Sequence, residues 1–229
     1  MNLKDYIPEA YIPAIITASV ALIVGVGAQF LNSWLTARRE NKKYRREIYE
    51  EFISEFFVDI LTYVSVKTQP RSDHDVKLDV KDISTTVENM FKKIHYGDRH
   101  LQSLNLAHKT SSHLEDFKGD SQETLQIKIF YFFLIYSKKI FKKTSFKLDK
   151  SVKFQLDHSI REYAYWYIYA ETRDFHEAPN KLKSLTMCSE QILQRYSLKY
   201  FRKLIIGDDL QANEQFLKKI DKKIEKGLS

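Results

Sequence analysis

The hydrophobic and polar positions divide this chain into one long apolar run followed by a series of amphipathic stripes. Ala10 to Ala37, AYIPAIITASVALIVGVGAQFLNSWLTA, holds 28 residues and no formal charge. An α-helix rises ~1.5 Å per residue and a bilayer core is ~30 Å thick, so about 20 apolar residues cross it. Ile12 to Leu31 meets that requirement, and the pattern predicts a transmembrane anchor over 1–37. No Gly or Pro occurs between Asn32 and Lys67, so the helix is expected to continue as a basic juncture and stalk over 38–68. There Ile48, Phe52, Phe56 and Ile60 recur every fourth residue, with Ile53, Phe57, Leu61 and Val64 widening the stripe.

After a loop at 69–76, Val80, Ile83, Val87, Met90 and Ile94 predict a helix ended by Gly97-Asp98. Leu101, Leu104 and Leu114 predict another over about 99–117, and Gly119 then breaks the chain. Asp120 with Glu123 resembles a capping box and opens the next helix. That helix carries IFYFFLIY, Ile129 to Tyr136, inside an uncharged window of nine residues hemmed by lysines. Nine residues make ~14 Å of helix, less than half a bilayer core. The segment is therefore expected to be the central core helix of a soluble domain, with an interfacial or re-entrant helix flanked by snorkelling lysines as the alternative. An aromatic helix over 150–177 is expected to stop at Pro179, and a further one over 181–206 to end at Gly207. Asp208-Asp209 opens the last, which sets Leu210, Leu217, Ile220 and Ile224 against Lys218, Lys219, Lys222, Lys223 and Lys226. Its apolar stripe is expected to pack on the domain while the lysines stay solvated. No alternating run is bounded by turns, so the fold class is all-α. A single N-terminal transmembrane helix continues into a cytoplasmic helical bundle over 69–229.

Charge adds an orientation. Lys4, Asp5 and Glu9 precede the span, whereas Arg38, Arg39, Lys42, Lys43, Arg45 and Arg46 follow it. The positive-inside rule then places the N-terminus outside and the domain in the cytoplasm, single-pass in the cell inner membrane. A cleaved signal peptide would carry its basic region before the apolar core, so the anchor is expected to be retained. The net charge of +7 comes from 37 Lys and Arg against 30 Asp and Glu. Lys predominates, which suits an anionic membrane face better than base reading, where Arg is favoured. One cysteine, Cys188, rules out an internal disulfide and reads as a small buried residue.

Within the span Ala14, Ala18, Ala21, Gly25, Ala28 and Asn32 follow a 4-3-4-3-4 spacing, which keeps them on one helical face. In lipid, small side chains let two backbones approach closely. Gln29 and Asn32 could hydrogen-bond across helices. With one span per chain the expected partner is another copy, so the protein is expected to be a homo-oligomer.

Signatures of catalysis are missing. The chain has no phosphate-binding glycine loop, HExxH, paired CxxC or GxSxG elbow. No two of its 7 histidines form an i, i+4 pair, so no metal or cofactor is expected. The densest polar cluster is Glu171 to Glu177, where Arg173 and His176 are the candidate catalytic pair, His as acid/base and Arg on a phosphate. All-helical nucleases of the HEPN class separate these two residue types by four to six positions; here two intervene. The shorter spacing favours a capped, solvated helix end. Asp157, His158 and Glu162 read as a polar group on a helix surface.

One short span, the basic juncture from Arg38 to Arg46 and a helical domain without catalytic motifs make a layout that resembles the small membrane effectors of bacterial anti-phage systems. It resembles first the transmembrane protein encoded beside a retron reverse transcriptase. The second likeness is to the membrane accessory protein of type VI-B CRISPR loci, whose helical domain is HEPN-like. The resemblance implies antiviral defence by abortive infection. A toxin-like effector is held inactive by a reverse transcriptase with its RNA–DNA product, or another defence complex, and makes the inner membrane leaky once released. No small-molecule substrate is implied. Two alternatives stay open: a non-toxic membrane-tethered adaptor recruiting a cytoplasmic partner, and a divergent HEPN-like membrane-bound ribonuclease.

Overall fold

A computed structural model describes residues 11–69, 82–113, 120–144, 146, 148–189 and 191–228, without the side chains of 186–189, 191 and 226–228. Lys4, Asp5, Glu9, most of the loop at 69–76, Val80, Leu114, Gly119 and the side chains of Cys188 and Lys226 lie outside that description. The chain forms two units, Met1–Arg46 and Glu47–Ser229. Helix α1 covers Ile12–Ile48, and helical hydrogen bonding runs on through a π-helical turn, Tyr49–Ile53, into α2, Ser54–Thr68. This run is long and apolar enough to cross a membrane, the one such helix among the described residues. The helices that follow are α3 (Ile83–Lys92), α4 (Arg99–Ser112), α5 (Asp120–Lys143), α6 (Lys150–Thr172), α7 (Glu177–Ser189), α8 (Gln191–Gln194), α9 (Leu198–Gly207) and α10 (Leu210–Leu228). No strand occurs among the described residues, and the fold is all-α.

Aspartate and serine side chains start most of these helices by accepting orphan backbone N–H groups. Asp98 accepts from the N–H of His100 and Leu101 at 3.2 Å, and Asp149 from that of Ser151 at 3.0 Å. Ser197 takes the N–H of Tyr200 at 3.1 Å, and Asp209 that of Gln211 at 2.9 Å. Between α9 and α10, Asp208 adopts φ 49°, the left-handed conformation that ends a helix and that Asp tolerates better than most residues.

The core of the second unit is built on α5 and α6. IFYFFLIY is buried as expected, all but the half-buried Ile135. Phe133 meets Phe52 edge-on at 5.4 Å, Phe130 meets Tyr163 at 5.7 Å, and Trp166 stacks on Tyr63 at 6.0 Å. The Tyr163 hydroxyl donates to the Ile60 carbonyl at 2.6 Å, which satisfies a fully buried phenol. Its neighbour Glu162 is buried too, accepting from the Thr68 hydroxyl at 3.1 Å with His158 Nε2 at 3.5 Å. Tyr63 is half-buried, and desolvation pushes its hydroxyl up to about 12.

Three boundaries differ from the sequence reading. Residues 48–68, assigned above to a stalk, belong to the compact unit, since Ile48, Phe52, Phe56, Ile60 and Val64 are all buried. Their stripe is too wide to solvate and packs on α5 and α6. Pro179 does not stop a helix; it is the third residue of α7, within the first turn where no N–H partner is needed. The single helix expected over 181–206 is interrupted between α7, α8 and α9, where Ser197 caps a new start and Arg161 Nε donates to the Tyr196 carbonyl at 3.2 Å. The last helix packs as expected, with Phe216, Leu217 and Ile220 buried, although Leu210 is exposed. Phe216 meets Tyr196 at 5.2 Å and Phe201 at 5.5 Å, and Lys223 donates to the Tyr196 hydroxyl at 3.1 Å.

Phe133→Ala opens a cavity in this core and is expected to cost about 3–5 kcal/mol in chemical denaturation. Val58→Ala, at a position 64% exposed, is expected to stay within about 0.5 kcal/mol. His108 provides a second check. It is 8% exposed against Phe91, and burial pushes its imidazole below the ordinary range, with Glu88 pulling weakly the other way. The folded chain therefore holds it neutral, and the unfolded chain protonates it near pH ~6.5. Its contribution is complete above that pH and is lost as pH falls through the lower folded value. Urea midpoints at pH 7 and pH 5 should differ less for His108→Phe than for the parent chain.

Candidate functional site

Two regions gather the residues that the sequence singles out. The first is α1, where all six members of the small-residue seam are helical. At 3.6 residues per turn, Ala14, Ala18, Ala21, Gly25, Ala28 and Asn32 fall within about 80° of one another. Every described residue from Tyr11 to Glu47 is exposed except the half-buried Arg45. Leu22, Ile23 and Phe30 are 68%, 70% and 73% exposed, values an aqueous helix of this length could not sustain. A Cβ built on Gly25 meets nothing within 4 Å, so this chain leaves the seam open. Of its polar side chains, the Thr17 hydroxyl donates to the Pro13 carbonyl at 2.8 Å, which suits an apolar surrounding. Gln29 and Asn32 find no hydrogen-bond partner among the described residues. Arg38, Arg39, Lys42, Lys43, Arg45 and Arg46 continue the same helix, with the Arg38 guanidinium 5.5 Å from the Trp34 ring centre.

The second region is the 171–177 cluster, where each polar side chain has a local task. The Thr172 hydroxyl donates to the Ile168 carbonyl at 2.7 Å, and Asp174 caps α7 by accepting the Glu177 N–H at 2.8 Å. Glu177 accepts from the Tyr169 hydroxyl at 3.0 Å. Arg173 turns towards α10, with Nε and Nη2 each 3.2 Å from Glu214 and Nη1 2.9 Å from Asp221. Its guanidinium also lies 5.4 Å from the Tyr169 ring centre. Hydrogen bonds from Arg173 hold the Glu214 carboxyl below its ordinary range. His176 pairs instead with Asp120 at 3.0 Å. The candidate pair is thus held by separate acidic partners, and Arg173 clamps α10 to the end of α6. The other polar group does not lie on a helix surface as expected: Glu162 is buried against His158 and Thr68, while Asp157 pairs with Lys138.

A cleft of about 480 Å³ lies beside this cluster, between the ends of α4 and α6 and the start of α5. Asp120, Thr124, Glu171 and Arg173 line it with Phe175. Burial raises the Glu171 carboxyl above its ordinary range, and Lys128 counteracts part of that rise. The side chains of Asp120, Glu123 and His176 bring three donor atoms within 4.8 Å of one another, a set that could hold a metal ion with solvent completing its shell. Asp120 and His176 are largely exposed, and their ion pair accounts for the approach without an ion. Sequence spacing gives no warning of this trio, because His176 comes from a different helix boundary from the two carboxylates. Compared with protein-family models, curated proteins and solved structures, the chain matches none.

Arg173→Ala removes the clamp on α10 and should lower the melting temperature by roughly 2–4 °C, as expected for a partly exposed ion-pair network. Arg173→Lys should recover only part of that loss, because Lys cannot span Glu214 with a planar fork. His176→Ala should leave the melting temperature unchanged.

Proposed function

We propose that this protein is a single-pass effector of the bacterial inner membrane, with its N-terminus outside and its helical domain in the cytoplasm. In this reading α1 self-associates through Ala14, Ala18, Ala21, Gly25, Ala28 and Asn32. A cytoplasmic complex restrains the domain, and its release lets the helices reassemble and compromise the membrane. The layout is that of the small antiviral effectors it resembles, the retron-associated transmembrane protein first among them, with a reverse transcriptase and its RNA–DNA product as the restraining complex.

The observation that carries this reading is the exposed apolar surface of α1 from Ile12 to Leu35, with an open small-residue face along it. Such a surface is satisfied by lipid on its bulky side and by a second helix on its small side. The six basic residues after it favour retention on the anionic, cytoplasmic side. The domain supplies no assembled catalytic pair among the described residues, which directs attention away from the ribonuclease alternative and towards the anchor.

Expression of the full chain without its neighbouring genes tests the reading. Growth arrest with collapse of the membrane potential is expected, and Gly25→Leu should relieve it, with recovery of viable counts by tenfold or more. Because a Cβ at Gly25 is unopposed within the chain, relief would report on association rather than on folding. If both proteins leave growth and potential unchanged, the effector reading fails. Restoration of the native phenotype by an unrelated anchor in place of 1–37 would then establish the adaptor instead.

A further inference from the structure

A cationic groove of about 400 Å³ lies between α5 and α9 of the helical unit. Lys138, Lys139, Lys142 and Lys143 rise along the α5 wall, and Lys199 and Arg202 face them from α9. Ile135 and Leu198 form an apolar floor. Lys138 is engaged by Asp157. Among the described residues no carboxylate pairs with the other five cations, and Arg202 has only His100 Nε2 at 3.3 Å. Leu198 and Lys199 also begin a ten-residue helix capped by Ser197, so the positive end of its dipole adds to the same field. Holding so many cations together costs repulsion that a bound anion would relieve.

We propose that this groove binds the sugar–phosphate backbone of a single nucleic-acid strand. Cations on both sides of this open groove attract a polyanion laid along it. A groove of about 400 Å³ holds a short run of one strand and is too small for a duplex. Lysines one helical turn apart, as at Lys138 and Lys142 or Lys139 and Lys143, follow successive phosphates as point charges. Among the described residues that line the groove there is no aromatic ring for stacking and no amide or carboxylate to read a base edge, so recognition is through the backbone and independent of sequence. The inference requires no membrane activity and stands apart from the effector reading.

Anisotropy of fluorescent DNA and RNA dodecamers, titrated with the full chain in phosphatidylcholine nanodiscs, tests it. Binding should weaken with salt at a log–log slope of about 2 to 3, as for ~3–4 neutralised phosphates on a single strand. The triple variant Lys139→Gln, Lys142→Gln, Lys199→Gln should lose tenfold or more in affinity. The corresponding triple Arg variant should retain it, as should Lys109→Gln on α4, with unchanged circular dichroism as the check on folding. Three results would overturn the proposal: no strand binding by the parent chain, equal affinity in the Gln triple variant, or an equal loss in Lys109→Gln. A groove-dependent gain in binding to phosphatidylglycerol vesicles, with no strand binding, would assign the site to lipid headgroups instead. None of these measurements reads growth or membrane potential, so failure here leaves the effector reading standing, and the reverse also holds.

Discussion

The helical unit depends on the aromatic seam where α5 and α6 meet the α2 segment. Phe52, Phe56 and Phe133 meet edge-on in one set, and in a second Phe130 meets Tyr63 and Tyr163 edge-on while Tyr63 stacks on Trp166. Interiors are close-packed, so these rings settle helix spacing and rotation together. Polar groups caught in the seam are handled locally: Tyr163 reaches the Ile60 carbonyl, and Glu162 the Thr68 hydroxyl. These bonds join α6 to the middle and the end of α2, so the segment after the π-helical turn is fastened by hydrogen bonding as well as burial. Peripheral elements attach with fewer restraints. Helix α10 is held by one apolar stripe, the Arg173 clamp and the Lys223 contact with Tyr196.

Much of this was legible in the residues, for reasons that can be given one element at a time. IFYFFLIY was too short for a bilayer and too apolar for water, which left only the core. The apolar run before Ala37 carried no charge over a bilayer-length stretch, so its exposure follows directly. What escaped were features set by contact rather than period. The stripe from Ile48 to Val64 has the same spacing in a free stalk and in a core helix; only the presence of α5 decides between them. Pro179 marks a helix boundary in either direction, and Asp174 as a cap resolves it as a start. Arg173 finds its carboxylates 41 and 48 positions away, and no local pattern announces such a clamp. The lysines of α5 were visible as a hem around an apolar segment, but the opposing Lys199 and Arg202 join them only after the chain has folded back.

The two ends of α5 illustrate how one helix serves two chemical environments. Asp120 and Glu123 occupy its first turn and Lys142 and Lys143 its last, the arrangement that complements the helix dipole. The acidic end borders the cleft near His176, and the basic end forms a wall of the groove. The aromatic core between them keeps the two fields apart. The helix dipole offsets part of the repulsion within each set of charges.

The placement of the 2 tryptophans has a practical consequence for anyone handling the protein. Trp34 lies exposed on the apolar helix, and Trp166 is 2% exposed at the centre of the aromatic seam. Each unit therefore contains its own intrinsic fluorophore. In the single-pass arrangement proposed above, quenchers carried on lipid tails would dim Trp34 and spare Trp166, whereas urea would red-shift Trp166 as the core opens. The native chain thus carries separate optical channels for insertion and for folding, and single Trp→Phe variants would isolate them without an added dye.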